Sequence, residues 1–415
     1  MIASEVNTKC RHCGEPLSLT FADLGATPVS NDYLSAAQRL GPEPYYPLRA
    51  FCCRRCRLVQ LEDFLRADDL FRQDYAYFSS ISTTWVDHAH RYADAMQARY
   101  GLTENSTVVE VASNDGYLLQ FFKSKGINVL GVEPCKSVAE WAIQKHAIPT
   151  KIMFFGEEAG VRLAREGFAA DLTAANNVLA HVPQLNDFVS GFRELLKPEG
   201  ISTFEFPHLL NLISENQFDT IYHEHFSYLS LTAADAFFLS NGLRVFDVEK
   251  LPTHGGSLRV HVCRTGAPHP RQASVDAVLE EEREKGLGED ATYLAFSERV
   301  RETKRALLEL LISIKREGKT VVGYGAPAKG NTLLNYCGIG SDFLEYTVDR
   351  APQKQGMFLP GTRLPILSPD AIALTKPDYV MILPWNIKGE IMEQMAHIRT
   401  WGGKFIVPIP RAAVI

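Results

Sequence analysis

The chain has no long apolar run. None of its segments approaches the roughly 18 apolar residues that a membrane-spanning helix needs, and the N-terminal stretch MIASEVNTKCRHC has no apolar signal core. It has no long basic run either, and its formal net charge is −6. These absences disfavour a helical membrane protein and a nucleic-acid-binding protein. We therefore expect a cytoplasmic protein that acts on small molecules, as a monomer or weak dimer without an obligatory protein partner.

Three catalytic signatures are also missing. The chain has no G-x-G-x-x-G fingerprint of a dinucleotide site, no Tyr-x-x-x-Lys pair and no H-E-x-x-H motif of a zinc protease. A zinc protease is therefore excluded, and an NAD-dependent oxidoreductase is kept only as an alternative. The composition, with 46% hydrophobic and 22% charged residues over 415 residues, is that of a globular protein with two or three domains.

The N-terminal region contains two Cys-x-x-Cys pairs. Cys10 and Cys13 form the first pair, and Cys53 and Cys56 form the second. Because a cytosolic protein keeps its thiols reduced, such pairs predict a tetrahedral zinc site with four thiolate ligands. Redox pairs or surface thiols are the alternatives. Four thiolates leave no open position on the metal, so the zinc ion is expected to be structural, in a module of residues 1–72.

The next region, residues 73–247, alternates predicted strands and helices. The apolar run 108–112 is typical of a buried parallel strand, Asn114-Asp115-Gly116 of a tight turn, and residues 117–125 of a helix. A second strand, residues 127–132, ends in Glu133. This spacing resembles the first half of the class I S-adenosylmethionine methyltransferase fold, and the resemblance implies that Glu133 accepts hydrogen bonds from two ribose hydroxyls. A nucleotide site for NAD is the alternative.

The second half of the same region continues the alternation. Strands are predicted at 172–176 and 201–206, with a helix at 186–196 between them. The turn Asn176-Asn177 follows the first of these strands, and His181 comes shortly after it. Open α/β sheets bind ligands at the carboxyl ends of their strands. We therefore expect the turn to face the cofactor and His181 to lie in the site.

The stretch YHEHFSY, residues 222–228, collects two imidazoles, a carboxylate and two phenols. A polar surface turn is the alternative, but so many aromatic and imidazole groups suit a solvent loop poorly. Neighbouring side chains diverge on a strand and on a helix, so the four residues of YHEH cannot all converge on one point. We predict that Tyr222, Glu224 and His225 share the site at a bend, and that His223 is structural.

The C-terminal region, residues 248–415, predicts a second, smaller α/β domain. A charged helix at about 290–315 leads into the strand KTVVGYG, the loop APAKG and a helix from Asn331, followed by the strands LEYTVDR and DYVMILPWN. The segment GYGAPAKG looks like a phosphate-binding loop, with backbone N–H groups and Lys329 available to an anion. A degenerate, empty copy of the central domain is the alternative.

Six motifs, in this order, resemble the sugar-nucleotide C-methyltransferases of deoxysugar biosynthesis: the two Cys-x-x-Cys pairs, VVEVASNDGYLL, ANNVLAHV, TIYHEHFSYLS, THGGSLRV and VVGYGAPAKGNTLLN. The match looks close to the C-3′-methyltransferases that act on dTDP-linked 4-keto-deoxysugars in antibiotic biosynthesis, such as that of the D-tetronitrose pathway. The resemblance implies an α/β protein with an N-terminal four-cysteine zinc module, a central class I methyltransferase (Rossmann-like) domain and a smaller C-terminal Rossmann-like domain.

The resemblance also implies ligands and site residues. The cofactor is S-adenosyl-L-methionine, beside the structural Zn²⁺, and the substrate is a dTDP-linked 4-keto sugar. The predicted cofactor-binding residues are Glu110, Ala112, Asn114, Gly116, Tyr117, Leu118, Glu133, Pro134, Asn176 and Asn177. The predicted substrate-binding residues are Tyr75, Tyr77, His254, Arg259, Lys329 and Asn331.

Methylation of a carbon next to a ketone requires removal of a proton and storage of charge on the ketone oxygen. A ketone α-proton is about 12 pKa units less acidic than an imidazolium, a difference of roughly 16 kcal/mol. We predict His225 as the base, with Tyr222 and His181 donating to the C-4 oxygen. Glu224 would orient an imidazole or contact a sugar amine. C-5′ methylation, an NAD-dependent oxidoreductase and a zinc-knuckle scaffold are the alternatives.

Overall fold

The structure is a computed structural model that describes residues 8–65 and 78–415. Within these ranges, no helix combines the length and the apolar composition that crossing a bilayer requires. The strands are β1 Leu19–Thr27, β2 Tyr46–Cys52, β3 Val59–Leu61, β4 Thr107–Val111, β5 Asn128–Val132, β6 Thr150–Lys151, β7 Ala170–Asn176, β8 Leu196–Pro207, β9 Ser227–Tyr228, β10 Leu243–Leu251, β11 Ser257–Arg264, β12 Val321–Tyr324, β13 Thr347–Val348, β14 Ile366–Leu367, β15 Tyr379–Ile382, β16 Lys404–Val407 and β17 Ala413–Val414.

Helices separate most of these strands. The α-helices are α1 Thr83–Tyr100, α2 Leu119–Lys123, α3 Lys136–His146, α4 Glu157–Leu163, α5 Leu185–Leu195, α6 Leu209–Ser214, α7 Leu231–Ser240, α8 Ala273–Glu284, α9 Asp290–Arg316, α10 Ala328–Cys337, α11 Asp370–Thr375 and α12 Lys388–Gln394. Short 3₁₀ turns lie at Ser79–Ile81, Leu179–His181, Phe218–Thr220, Thr253–Gly255, Trp385–Ile387 and Ala396–Trp401, and a π-type turn at Ala164–Phe168.

The N-terminal sheet has the order β1-β2-β3-β9 and is antiparallel throughout. Its last strand, β9, comes from the segment YHEHFSY, far along the chain. Alternate residues of β1 face inward, and Phe21 stacks on Phe296 of helix α9 with 4.4 Å between ring centroids. The sheet of the zinc module is therefore completed by later parts of the chain.

The central sheet has the order β10-β11-β8-β7-β4-β5-β6. Strands β4 to β8 are parallel to one another. Strand β11 lies between β8 and β10 and is antiparallel to both. The apolar run predicted as a buried strand forms β4, whose Val108, Val109 and Val111 are buried, as expected for a parallel sheet covered on both faces. This order, with one reversed strand, is that of the class I methyltransferase fold expected from the sequence. The sheet continues through β11, beyond the boundary expected at residue 247.

The C-terminal sheet has the order β14-β13-β12-β15-β16-β17, in which only β17 is antiparallel to its neighbour. This is the strand order of a doubly wound nucleotide-binding fold. Helix α9 agrees with the predicted helix to one residue at its end. Helix α10 begins at Ala328, earlier than the predicted start at Asn331, because Pro327 at its N-cap has a backbone conformation that suits a helix start.

One apolar core joins the N-terminal and C-terminal sheets. It contains Phe21 and Leu48 from the first sheet, Val322 and Leu333 from the C-terminal domain, and Phe218 from the segment just before YHEHFSY. The central sheet has separate cores on its two faces. The segment that carries the predicted catalytic residues therefore lies where all three sheets meet.

Candidate active site

The four predicted metal ligands converge. The Sγ atoms of Cys10, Cys13, Cys53 and Cys56 all lie within 4.8 Å of one another, and the pairs Cys10–Cys56 and Cys13–Cys53 are each 3.5 Å apart. Tetrahedral zinc with Zn–S bonds of about 2.3 Å needs sulfur atoms roughly 3.8 Å apart, so the four thiols fit the ion. None of the eight cysteines, all within the described residues, forms a disulfide. The cluster has the donor set of a structural zinc site.

The zinc module is anchored beside the predicted site. Arg11, between the first two cysteines, donates through Nη1 to the Pro183 carbonyl at 3.1 Å, two residues after His181. Its Nη2 donates to the Leu61 carbonyl at 3.0 Å and to Asp63 at 2.9 Å. The metal cluster therefore holds a loop of the central domain as well as its own sheet.

The loop after β4 has the curvature of a cofactor loop without the usual glycines. Ala112, Asn114 and Gly116 all have left-handed backbone conformations, with φ of 59°, 49° and 81°. At Gly116 a Cβ atom would lie 2.6 Å from the Ile148 side chain, so only glycine fits there. The sequence ASNDG thus places the left-handed residues at alternate positions, which a search for glycines alone does not detect.

Glu133, at the carboxyl end of β5, closes this loop. Its Oε2 accepts a hydrogen bond from the Asn114 backbone N–H at 3.0 Å, and its Oε1 accepts one from the Cys135 N–H at 2.9 Å. Burial raises the pKa of Glu133, and these two backbone donors partly oppose the shift. A carboxylate offers about four acceptor positions, so acceptor capacity is left for ribose hydroxyls. The predicted cofactor role of Glu133 fits this geometry, as does the position of Pro134 next to it.

Glu110 lies beneath the same loop. It is 1% exposed, and burial raises its pKa well above the ordinary range. The Tyr117 side chain is also buried, and burial raises its pKa as well. The Leu118 side chain is buried in the core, so only its backbone is available to a cofactor, contrary to a side-chain contact. Both carboxylate oxygens of Glu110 are buried and have no hydrogen-bond partner among the described residues, so a donor from a ligand or water is expected there.

The second turn brings Asn177 to the THGG loop. Asn177 has a left-handed backbone with φ of 54°, and its Nδ2 lies 3.3 Å from Nε2 of His254. The side-chain oxygens of Asn176 and Asn177 are buried and have no hydrogen-bond partner among the described residues. Such oxygens are expected to receive a donor from a ligand or water. The predicted turn and the predicted His254 thus lie together.

A tryptophan that the sequence analysis missed connects these loops. Trp85 on α1 stacks on His88 at 4.8 Å and on Tyr117 at 6.0 Å, and meets His254 edge-to-face at 5.4 Å between ring centroids. The available signal was its position immediately after the tyrosine-rich entry to the predicted helix. The Trp85 ring therefore lies between the cofactor loop and the THGG loop and contacts both.

The chain just before α1 lies on the cofactor loop. The Ser79 backbone N–H donates to Asn114 Oδ1 at 2.9 Å, and the Ser80 N–H donates to Asp115 Oδ2 at 3.0 Å. Tyr75 and Tyr77, predicted to line the sugar pocket, fall immediately before this segment and lie outside the described residues. The two serines thus link the cofactor loop to the segment where those tyrosines occur in the sequence.

The turn YHEH places His225 and Tyr222 against each other. The His225 Nδ1–H donates to the Thr220 carbonyl at 2.9 Å, which leaves the ring lone pair on Nε2 in the neutral imidazole. Nε2 lies 2.7 Å from the Tyr222 hydroxyl, which donates to it. Burial lowers the pKa of His225 well below its ordinary value, helped by the charges around it. His225 is therefore neutral at pH 7, with the lone pair oriented towards Tyr222.

The neighbours of this pair diverge as predicted. His223 is buried against the N-terminal sheet, where its Nε2 donates to the Pro47 carbonyl at 3.2 Å. Glu224 points the other way, and both of its oxygens accept from Nδ2 of Asn31 at 3.0 Å. Burial raises the pKa of Glu224 to about 7, and the Asn31 amide opposes part of the shift. Asn31 belongs to the loop between β1 and β2, so the zinc module supplies a partner to the turn.

His181 lies beside His225 but does not fit its predicted role as a donor. Its ring centroid is 4.7 Å from that of His225, and its Nδ1–H donates to the Glu224 carbonyl at 2.7 Å. Burial lowers the pKa of His181 to about 4, so the ring is neutral at pH 7 and its Nε2 carries a lone pair. A neutral ring held this way orients the turn and accepts hydrogen bonds. The sequence predicts a position in the site for His181, whereas its tautomer depends on the Glu224 carbonyl.

The predicted substrate residues separate into two groups. Lys329 lies beside the turn, with Nζ 3.0 Å from Asn386 Oδ1, and its charge acts on both His225 and His254. Asn331 is instead buried, and its Nδ2 donates to the Ser30 carbonyl at 2.6 Å. It joins two domains because the early start of α10 turns it inward, so the structure does not support a substrate contact by its side chain.

Arg259 is likewise drawn inside. It is 5% exposed, and its two terminal nitrogens donate to Glu205 at 3.1 Å and Glu249 at 3.0 Å. Side chains alternate between the two faces of the sheet along β11, and that of Arg259 lies on the face covered by Tyr92, whose ring lies under the guanidinium. The predicted substrate role of Arg259 is therefore not supported. The arginine stabilises a buried carboxylate next to the site.

Ring contacts connect the cofactor loop with the THGG loop, since Tyr117 contacts Trp85 and Trp85 contacts His254. Lys329 and His254 act on His225 through their charge, and Lys329 acts on His254 in the same way. The site thus combines a carboxylate suited to a ribose, a neutral imidazole bonded to a phenol, and a nearby ammonium. This set of groups can bind a nucleoside cofactor and move a proton at a neighbouring substrate.

Three family models match successive parts of the chain. One described as "Putative zinc binding domain" matches residues 10–71, one described as "Methyltransferase domain" matches residues 85–248, and one described as "C-methyltransferase C-terminal domain" matches residues 252–410. Over 407 residues, the chain is 38% identical to the C-methyltransferase NovU of Streptomyces niveus, which covers 98% of this chain and 96% of that protein.

Solved structures also match parts of the chain. A magnesium protoporphyrin IX methyltransferase from Synechocystis with bound S-adenosylhomocysteine is 16% identical, with a TM-score of 0.35 over 43% of this chain and 83% of that one. A 1,6-didemethyltoxoflavin-N1-methyltransferase from Burkholderia thailandensis is 15% identical, with a TM-score of 0.37 over 50% and 95% of the two chains.

Proposed function

Because the chain belongs to the family of S-adenosylmethionine-dependent C-methyltransferases with an N-terminal zinc-binding domain, we propose that it methylates C-3′ of a dTDP-linked 4-keto-deoxysugar. The substrate we propose is a 3-amino-2,3,6-trideoxy sugar nucleotide. Transfer of a methyl group to carbon follows from the family. The sugar, the carbon atom and the enolate mechanism are the proposal.

One observation carries this proposal, namely the hydrogen-bonded pair of His225 and Tyr222. The Thr220 carbonyl fixes the imidazole tautomer, and the Tyr222 hydroxyl is 2.7 Å from the remaining lone pair. A neutral imidazole aimed at a phenol is an arrangement that can accept a proton, directly or through the tyrosine hydroxyl. It lies at the carboxyl edge of the central sheet, next to His181. This is where a substrate beside the cofactor must present its acidic carbon.

The proposed reaction begins with cleavage of the C-3′–H bond. The proton passes to the His225–Tyr222 pair, and the electron pair of the bond moves into the C-3′–C-4′ bond, which leaves a negative charge on the C-4′ oxygen. When bound, S-adenosylmethionine would supply a methyl group that C-3′ takes with the electron pair of the C-3′–C-4′ double bond. The pair of the broken S–CH₃ bond stays on the sulfur, and the C-4′ ketone re-forms. Trp85 and the cofactor loop exclude water from the space between the two ligands, which prevents reprotonation of the carbon.

The energetics require more than a base. Transfer of the proton from the ketone α-carbon to a neutral imidazole is alone unfavourable by roughly 16 kcal/mol, and the lowered pKa of His225 increases that figure. A general base typically contributes about 10² to 10⁴ in rate. The remainder must come from charge stabilisation at the C-4′ oxygen, for which the Lys329 ammonium is the proposed group, because the single hydrogen of the Tyr222 hydroxyl is donated to His225. His181 then acts by orienting the turn through its bond to the Glu224 carbonyl.

Glu224 and Lys329 are proposed to recognise the sugar. Glu224 is buried, and among the described residues only Asn31 donates hydrogen bonds to its carboxylate. A protonated 3-amino group would supply the positive partner that the carboxylate needs. Lys329 acts electrostatically on His225 and His254, which supports a position near the sugar end of the substrate. The remaining part of the C-terminal domain is proposed to bind the nucleotide.

The test is proton exchange at the sugar. The purified holoenzyme is incubated in D₂O with dTDP-4-keto-3-amino-2,3,6-trideoxyglucose, with and without S-adenosylmethionine, and followed by proton NMR and mass spectrometry. We expect deuterium at C-3′ without methyl transfer, and a C-3′ methyl group with the cofactor. His225→Asn should lose both signals. His269→Asn is the matched control, because its ring bonds the Glu199 carbonyl far from the turn.

Three other outcomes would overturn the proposal. Exchange and methylation confined to C-5′ would assign the alternative carbon. Retention of full exchange in His225→Asn would remove the histidine from the mechanism. Formation of NADH from added NAD without methyl transfer would favour the oxidoreductase alternative.

A further inference from the structure

A buried carboxylate lies at the beginning of the catalytic turn. Asp219 is in the 3₁₀ turn Phe218–Thr220 and is fully buried. Its Oδ2 accepts a hydrogen bond from Nε1 of Trp385 at 2.7 Å. Its Oδ1 has no hydrogen-bond partner among the described residues. A fully buried carboxylate with one satisfied oxygen is costly, so a compensating charge is expected nearby.

That charge comes from the C-terminal domain. Burial raises the pKa of Asp219 to about 6, and the positive charge of Lys329 is the largest opposing influence, ahead of the Trp385 hydrogen bond. The influence is mutual, because Asp219 opposes the lowering of the Lys329 pKa by burial. The Lys329 ammonium lies 4.9 Å from the centroid of the Trp385 ring. The Trp385 indole and the Lys329 ammonium, both from the C-terminal domain, thus lie near the Asp219 carboxylate of the central domain.

The same turn holds the proposed base. The next residue, Thr220, provides the carbonyl that accepts the His225 Nδ1–H at 2.9 Å. The residue after it, Ile221, accepts at its carbonyl from Oγ1 of Thr332 at 3.0 Å, again from the C-terminal domain. A displacement of Asp219 therefore moves the carbonyl that selects the tautomer of His225.

Lys329 also acts on His225 directly. The charged and titratable groups that face the His225 ring are His181, Lys329, His254, Tyr222 and Tyr228, with Glu224 adjacent in the chain. A positive charge near an imidazole disfavours the imidazolium that forms when the base takes a proton. A carboxylate that balances Lys329 reduces this penalty.

We propose that Asp219 is a positioning residue through which the C-terminal domain fixes the Thr220 carbonyl and balances the Lys329 charge beside the base. The inference rests on the proposed role of His225. It adds a function for the interface between the two domains. The residues that hold the base in place belong to the C-terminal domain and not to the cofactor domain; they are Trp385, Lys329 and Thr332. A purely structural Asp219 is the alternative that the experiment must separate.

The first variant is Asp219→Asn, which keeps the shape and an oxygen acceptor for Trp385 but removes the charge. We expect an unchanged dissociation constant for S-adenosylmethionine, an unchanged KM for it, and at least a tenfold decrease in the rate of C-3′ exchange. In ¹⁵N-histidine NMR of the substrate-free enzyme at pH 8, where Asp219 is charged, the Nδ1 and Nε2 resonances of His225 should shift, because the charge beside the Thr220 carbonyl is gone. Asp378→Asn is the matched control, since Asp378 pairs with Lys319 far from the turn.

A double-mutant cycle with Lys329→Met isolates the charge balance. In that background, Asp219→Asn should lower exchange much less than in the wild type, because no ammonium is left to balance. Trp385→Phe should lower exchange without affecting cofactor binding. Trp401→Phe, whose indole bonds the Pro377 carbonyl, should retain it. Equal losses from Asp219→Asn in both backgrounds, or unmoved His225 resonances at pH 8, would overturn the inference.

These results are separable from a failure of the proposed function. If the wild-type enzyme does not exchange the C-3′ proton, the substrate proposal fails, while the His225 resonances at pH 8 still report on Asp219. If the wild type exchanges and Asp219→Asn exchanges equally well, the inference fails and the substrate proposal stands.

Discussion

Replacement of Glu224 by glutamine is expected to stabilise the protein at alkaline pH while abolishing its activity. Burial raises the pKa of Glu224 from 4.5 to about 7, so the native state retains a proton that the unfolded chain releases in this interval. Because the native state binds more protons, stability decreases as pH rises through the window from 4.5 to about 7. Above it, the full cost of the buried carboxylate is present.

The magnitude follows from the shift. A difference of about 2.5 pKa units corresponds to about 3 kcal/mol at pH 8, and to less than about 1 kcal/mol at pH 5. Asn31 donates to both carboxylate oxygens at 3.0 Å, and glutamine offers it only one oxygen, so about 1 kcal/mol is lost again. Glu224→Gln should therefore be more stable than the wild type by about 2 kcal/mol at pH 8, and about equally stable at pH 5.

Thermal unfolding at the two pH values measures the effect. For a chain of this size, about 2 kcal/mol corresponds to an increase of roughly 2 °C in the midpoint at pH 8. C-methylation should be lost, because the carboxylate is gone. Glu309→Gln, at an exposed position of α9, is the control and should show no pH-dependent difference. A midpoint for Glu224→Gln that is lower than that of the wild type at both pH values would refute the reasoning.

Three further predictions concern the metal, the cofactor and the interior. Chelation of zinc, or Cys53→Ser, should lower the unfolding midpoint and expose the N-terminal sheet to proteolysis, with zinc content measured by atomic absorption; an intact, metal-free module would contradict it. Glu133→Ala should weaken S-adenosylmethionine binding by at least tenfold in calorimetry, because it removes both the ribose acceptor and the partner of the Asn114 N–H; unchanged affinity would remove Glu133 from the site. Arg259→Met should destabilise the protein by about 3 kcal/mol in denaturant unfolding, because it leaves Glu205 without one of its charged partners, whereas an increase in substrate KM with full stability would restore its predicted substrate role.

Much of the architecture was predictable because it depends on local patterns. The strand β4 and helix α9 appear where their apolar periodicity places them, and the two Cys-x-x-Cys pairs converge as their spacing indicates. The class I methyltransferase fold, the zinc cluster and the family were predicted and are confirmed. These features arise from short-range spacing and from motifs that can be read in order along the chain.

The details of the site depend on contacts between residues far apart in the sequence. Arg259 and Asn331 were predicted to bind substrate, yet they face inward because Glu205 and Ser30 lie opposite them. The tautomer of His181 depends on the Glu224 carbonyl, which no spacing rule indicates. The contribution of Trp85 was missed for the same reason, since its partners lie on two separate loops. The predicted domain boundaries and the individual site assignments stay predictions.

Strand β9 has a consequence for protein engineering. Ser227 and Tyr228 pair with Gln60 and Val59 of the first sheet, directly after the residues proposed to take the proton. A chimera that exchanged the N-terminal module alone would break this pairing and the Asn31–Glu224 contact together. Substrate specificity should therefore be exchangeable between relatives only when the segment 218–230 is transferred together with the metal-binding module.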